Sequence, residues 1–145
     1  MKKRLLGVDF GHVRIGLSLS DPLNIIASPL PTIQGSRNPA VAAQHVAAEI
    51  QKRKLDIGQI IVGLPLHMNG KESERSVEVR AFAVALEEQV GIHVHLFDER
   101  LTSVQAERLM KNAEMTRKER ASSVDGVAST ILLQCFLDLQ GCTLS

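Results

Sequence analysis

The chain has 145 residues, 44% hydrophobic and 23% charged, with a formal net charge of +1. That length suits one domain, residues 1–145, with a core of its own, and the ordinary composition excludes a disordered or fibrous chain. Four Phe with no Trp or Tyr exclude a nucleic-acid reader built on aromatic stacking platforms, so any such binding rests on charge.

Residues 4–10, "RLLGVDF", predict a first strand, and "GHVR" a short turn. Ile15 to Ser20 alternates apolar with small or polar residues, the pattern of a half-buried strand. "DPLN" is a second turn. Ile25 to Ile33 contains Pro29 and Pro31, which restrict that segment to an edge strand. The chain thus opens with an antiparallel meander. "NPAVAAQHVAAEIQKRK" reads as a helix, with Asn38 as N-cap and Pro39 at its first position. "QIIVGLP" is a short apolar run ended by Gly and Pro, the mark of a buried parallel strand. "HMNGKESE" is a polar loop, and Glu74 to Val90 a second helix. "IHVHLFDER" is the fifth strand. Thr102 or Ser103 caps a third helix to about Asn112, residues 113–121 form a polar loop, and Ser122 or Ser123 caps a last helix to about Leu139. The order βββαβαβαα predicts an α/β fold: a mixed five-stranded sheet with helices on its faces.

The run Leu5 to Phe10 is too short for a signal-peptide core and is broken by Asp9, and no stretch approaches a membrane span. Cys135 and Cys142 form neither a CxxC pair nor a zinc spacing, and nothing calls for an oxidising compartment. The expected location is the cytoplasm, with no membrane partner. Basic residues gather at Lys2, Lys3 and Arg4. Between Arg100 and Arg120 six of them stand against three Glu; this segment can face phosphates, or form a solvated helix and loop surface.

Three acidic positions fall where ligands sit in open α/β sheets, at the carboxyl ends of strands. Asp9 ends the first strand. Asp98 and Glu99 end the fifth, and alternation alone leaves open which of the two points into the site. Asp125 lies in the first turn of the last helix, on the flank bordering its apolar face. Each has a local alternative: a turn cap for Asp9, an arginine partner for Asp98 or Glu99, a helix-dipole contact for Asp125. Gathered together, three carboxylates need a hard divalent cation to stay ionised. Two Mg²⁺ or Mn²⁺ ions about 4 Å apart in such a site are the machinery of phosphodiester hydrolysis. Arg14, Lys71, Arg75 and Arg100 are the candidate contacts to a nucleic-acid backbone. His93 and His95 share a strand face but lack a third ligand at matching spacing. His12 and His67 lie in loops near the proposed site. "DFG" also occurs in protein kinases, but no glycine-rich loop precedes it and no "HRD" is present. The strand–"DxG"–strand opening is similar to the ATP domains of the actin, hexokinase and sugar-kinase group, which need two such domains.

Four blocks in order, "GVDFG…RIGLSLSDP", "IIVGLPLHMNG", "DERLTS…A" and "VDGVAS…ILLQCFLD", resemble the YqgF (RuvX) family over nearly the whole chain. The resemblance implies a ribonuclease H-like fold similar to the RuvC Holliday-junction resolvases. It implies a nuclease that matures the 5′ end of the small-subunit (16S) ribosomal RNA precursor, with precursor RNA and the ribosomal particle as partners. The alternatives are a resolvase of branched DNA and a non-catalytic nucleic-acid-binding factor in ribosome assembly; the retained acids argue against a pure phosphate binder. Carried onto this chain, the metal ligands and catalytic acids are Asp9, Glu99 (favoured over Asp98, because the related resolvases use Glu at this strand end) and Asp125. The chain departs from the family at His12, usually Thr, at His67 and Asn69 in "GLPLHMNG", and in "RKERASS", usually Lys-rich.

Overall fold

The computed structural model describes residues 3–102 and 126–143. The elements are β1 (Arg4–Asp9), β2 (Arg14–Ser20), β3 (Ala27–Gln34), α1 (Pro39–Arg53), β4 (Ile57–Leu64), α2 (Glu74–Val90), β5 (Val94–Asp98) and α3 (Val127–Thr143). Residues 99–102 are helical. The expected remainder of that helix, the 113–121 loop and the caps at Ser122 or Ser123 lie outside the described residues.

The sheet order is β3-β2-β1-β4-β5. β1 pairs antiparallel with β2 and parallel with β4, which pairs parallel with β5. β1 therefore sits at the centre of a mixed sheet. β3 is an edge strand, as its prolines require, with Pro29 opposite Ser18 of β2. Helix starts follow the sequence signals closely. The Asn38 side chain accepts from the N–H groups of Ala40 and Val41 ahead of Pro39. Ser73 and Ser76 form a reciprocal cap at the start of α2, satisfying N–H groups with no partner inside the helix.

Strand alternation sends side chains to two faces. Leu6, Val8 and Phe10 join Ile60, Val62 and Phe82 under α1 and α2. Leu5, Ile61 and Phe97 join Leu133 and Phe136 of α3 on the other face. Each such side chain removed from water contributes roughly 1.5–3 kcal/mol. β2 departs from the half-buried expectation. Ser18 and Ser20 are buried as fully as Ile15 and Leu17. For Ser18 the reason is the approach of α3, whose Ser129 carbonyl accepts from Ser18 Oγ at 2.8 Å and whose Ser129 Oγ lies 2.9 Å away; Ser20 Oγ accepts from the Leu5 N–H of β1 and donates to Asn24 Oδ1. Small hydroxyl side chains let a helix cross the strand closely and still satisfy their polar atoms. No helix of the described residues is long and apolar enough to cross a membrane.

Candidate active site

Asp9 lies on the α3 face of the sheet, in register with Gly16 of β2. A Cβ at Gly16 would come within 3.5 Å of Asp9 Cβ, 3.6 Å of Ser129 Cβ and 3.7 Å of Gly126 Cα. Asp9 and the start of α3 thus meet across a residue with no side chain. Gly126 holds φ of +63°, and a Cβ on it would fall 2.5 Å from the Leu17 carbonyl, so both its conformation and its contact require glycine. Asp125, bonded to Gly126, lies outside the described residues. A cavity of about 190 Å³ opens beside Asp9, between Arg14, Thr32 and residues 126–129.

Glu99 comes to the same place from β5. A Cβ at Gly63 of β4 would fall 2.6 Å from Glu99 Oε1 and 3.2 Å from Cδ, so the carboxylate lies over the bare backbone of Gly63. Burial raises the Asp9 carboxyl above the usual range, with Arg75 pulling the other way. Burial also raises Glu99, the charge of Asp9 raises it further, and Arg75 opposes both. A buried carboxyl raised further by the charge of a second carboxylate is the electrostatic mark of acids gathered in one site.

Asp98 is placed differently. Val94 and Leu96 pack on the α2 face while His95 and Phe97 lie against Phe136 of α3. Alternation puts Asp98 with Val94 and Leu96. Its carboxylate accepts from Arg100 Nε at 2.9 Å and Nη2 at 2.6 Å, and from the Arg100 N–H at 3.0 Å. The Arg100 guanidinium holds Asp98 below the usual carboxylate range. Of the two neighbouring acids, Glu99 is therefore the one brought to Asp9.

The candidate phosphate contacts divide. Arg14 lines the cavity beside Asp9. Arg75 Nη2 donates to the Phe10 carbonyl at 2.6 Å, and its charge acts on both Asp9 and Glu99. Arg100 is committed to Asp98 and lies 3.4 Å from the Met68 carbonyl. Lys71 is exposed in the Asn69-Gly70 turn, its N–H donating to Asn69 Oδ1. His67 is exposed in the same loop. His12 is 2.5 Å from Glu78 Oε2 and stands edge-on to Phe10, tying the β1–β2 turn to α2. His93 Nδ1 lies 3.3 Å from Glu87, while the His95 ring lies 5.2 Å from Phe136. Among the described residues no three ligating side chains are gathered; Arg108, Lys111, Arg117, Lys118 and Arg120 fall outside them with Asp125.

Sequence reasoning missed Gly63 and the partner of His12. An isolated glycine inside "IIVGLP" marks close approach as readily as a strand end; the contact of His12 with Glu78, 66 residues away, leaves no local signal.

A family model described as "RuvX: Holliday junction resolvase" matches residues 3–139. A protein of Moorella thermoacetica named "Putative pre-16S rRNA nuclease" is 43% identical over 138 residues, covering 95% of this chain and 96% of its own. One of the same name from Protochlamydia amoebophila is 40% identical over 139 residues, 93% of each chain. Among solved structures, Thermus thermophilus RuvC in complex with Holliday junction substrate aligns with a TM-score of 0.63 over 98% of both chains, at 13% identity. T. thermophilus RuvC alone aligns at 0.56 over 97% of both, at 15% identity. These two likenesses show the fold, which is ribonuclease H-like. With a match running from residue 3 to residue 139 and relatives at this identity over nearly their full length, the chain belongs to the RuvX family.

Proposed function

We propose that this chain is a metal-dependent nuclease of the cytoplasm that hydrolyses phosphodiester bonds in maturing the 5′ end of the 16S ribosomal RNA precursor, within assembling ribosomal particles. The observation that carries the reading is the convergence of Asp9 and Glu99 beside the first turn of α3. The donor set fits a hard divalent ion: carboxylate oxygens, partly buried and, among the described residues, countered by Arg75. Asp9, Glu99 and Asp125 would hold Mg²⁺ or Mn²⁺, which when bound supplies charge stabilisation and a more acidic water. Arg14, on the cavity rim beside Asp9, orients the phosphodiester. Arg75, fixed to the Phe10 carbonyl from the capped first turn of α2, partly offsets the burial of the carboxylates and adds positive charge where the phosphate arrives. Gly63 leaves the berth into which the Glu99 carboxylate fits.

The family's description and the likeness to RuvC favour a second reading, resolution of four-way DNA junctions by the same residues. The test is depletion of the protein in cells, with precursor ribosomal RNA and branched DNA measured together. The first reading expects unprocessed 16S precursor to accumulate; accumulation of branched DNA with normal precursor processing would replace it with the second.

A further inference from the structure

The carboxylates stand at the C-terminal end of β1. At its other end lies a cavity of about 380 Å³, lined by Lys3, Arg4, Arg53 and Lys54 with a single acid, Asp56. The whole chain has a net charge of +1, so four cations around one opening are a segregated charge. Local roles account for two of them. Lys3 Nζ is 3.8 Å from Asp56 Oδ1, and Arg53 Nε donates to Glu49, one turn back, at 2.6 Å. Arg53 also complements the negative end of the α1 dipole. Arg4 and Lys54 form no ion pair among the described residues.

Two backbone irregularities shape this end of the sheet. Lys54 closes α1 at φ 54° and ψ 44°, a left-handed position where glycine escapes the steric cost that a side chain carries. β4 carries an extra residue, Gly58, between the pairs Arg4–Ile57 and Leu5–Gln59. A Cβ on Gly58 would fall 2.9 Å from Lys3 Cβ, so the bulge provides the space in which Lys3 lies beside Arg4. Lys54 carries there a steric cost that glycine would not.

We propose that this cavity is a second nucleic-acid contact, taking the phosphodiester backbone of the strand whose scissile bond lies at the carboxylates. The inference rests on the nuclease reading for its choice of ligand. Five strand rises separate Arg4 from Asp9, about 17 Å, so only a strand several nucleotides long reaches both ends. Each cation that replaces a condensed counterion makes binding more salt-dependent.

The test is anisotropy of a labelled single-stranded RNA of about 20 nucleotides, longer than one domain's usual site, bound to the full chain in EDTA over a NaCl series. Lys54→Gly removes the charge and the left-handed strain together. It is expected to melt at or above the wild-type temperature, to bind RNA more weakly, and to lower the salt slope by about 0.7. With Arg4→Gln added, the slope falls by about 1.4, one step per lost contact. Hydrolysis of bis-p-nitrophenyl phosphate, too small to span the two ends, stays at the wild-type rate. Unchanged affinity and slope in both variants would overturn the second contact, as would a wild type that binds no RNA. If Arg4→Gln does not fold, Lys54→Gly alone decides. A wild type that binds RNA but hydrolyses no phosphodiester refutes the nuclease reading, while the salt slopes still decide this site.

Discussion

Gly63→Ala measures how closely the Glu99 carboxylate must be seated. The new Cβ would fall 2.6 Å from Glu99 Oε1, 3.0 Å from Cγ and 3.2 Å from Cδ, where ordinary contact begins at 3.4 Å. The carboxylate must therefore retreat by about 0.8 Å, since closer carbon–oxygen approach is repulsive. The obstruction is the end of a flexible side chain, so the fold has little to absorb. Alanine also recovers roughly 0.5–1 kcal/mol of the entropy that glycine loses in a strand. Metal–oxygen bonds tolerate displacements of about 0.2 Å, and a misplacement near 1 Å costs about 10²-fold in rate. The expected result is a thermal midpoint within a few degrees of wild type and hydrolysis of a labelled oligonucleotide reduced about 10²-fold. Calorimetry and initial rates over a Mg²⁺ series measure the two quantities, with Glu99→Gln alongside. A Gly63→Ala enzyme with wild-type rate and Mg²⁺ dependence would refute the placement of Glu99 as a ligand.

Asp9→Asn should make the metal-free protein more stable. Burial raises Asp9 and Glu99 above the usual carboxyl range, so the folded chain holds more protons than the unfolded one between the usual and raised values. Stability then falls as pH rises through that window. Thermal melts in EDTA at pH 4 and pH 8 check this: the gain from Asp9→Asn should be larger at pH 8, and an equal or smaller gain there would contradict the electrostatic crowding. Ser18→Ala leaves the Ser129 hydroxyl and carbonyl without their buried partner, a loss of about 1–3 kcal/mol. Urea unfolding reads it as a lower midpoint at unchanged slope; an unaltered midpoint would mean the hydrogen bonds carry no net stability.

Local chemistry made much of this structure legible. Asn38-Pro39 marked the start of α1 because capping needs only the next few residues, and Pro29 with Pro31 marked the edge strand because proline cannot donate to a second neighbour. The insertion of β1 between β2 and β4 was not legible, since periodicity reports which face is buried and says nothing of which strand lies alongside. Alternation could not choose between Asp98 and Glu99, because the strand ends at Asp98 and its α3 face was visible only from Phe97 and His95 against Phe136. Ser18 read as solvent-facing because its polarity was visible and the crossing helix was not. Asp9 stood out in the sequence because it breaks the apolar run Leu5 to Phe10. Its partial compensation by Arg75, 66 residues away, depends on how α2 packs at the end of β1.

The most direct measurement is Mg²⁺-dependent cleavage by purified wild type, Asp9→Asn, Glu99→Gln and Asp125→Asn, each shown to be folded by its thermal melt. If the three carboxylates hold the ions, wild type cuts in proportion to bound Mg²⁺ or Mn²⁺ and all three variants fall to background. An Asp9→Asn protein that cuts as well as wild type would contradict it.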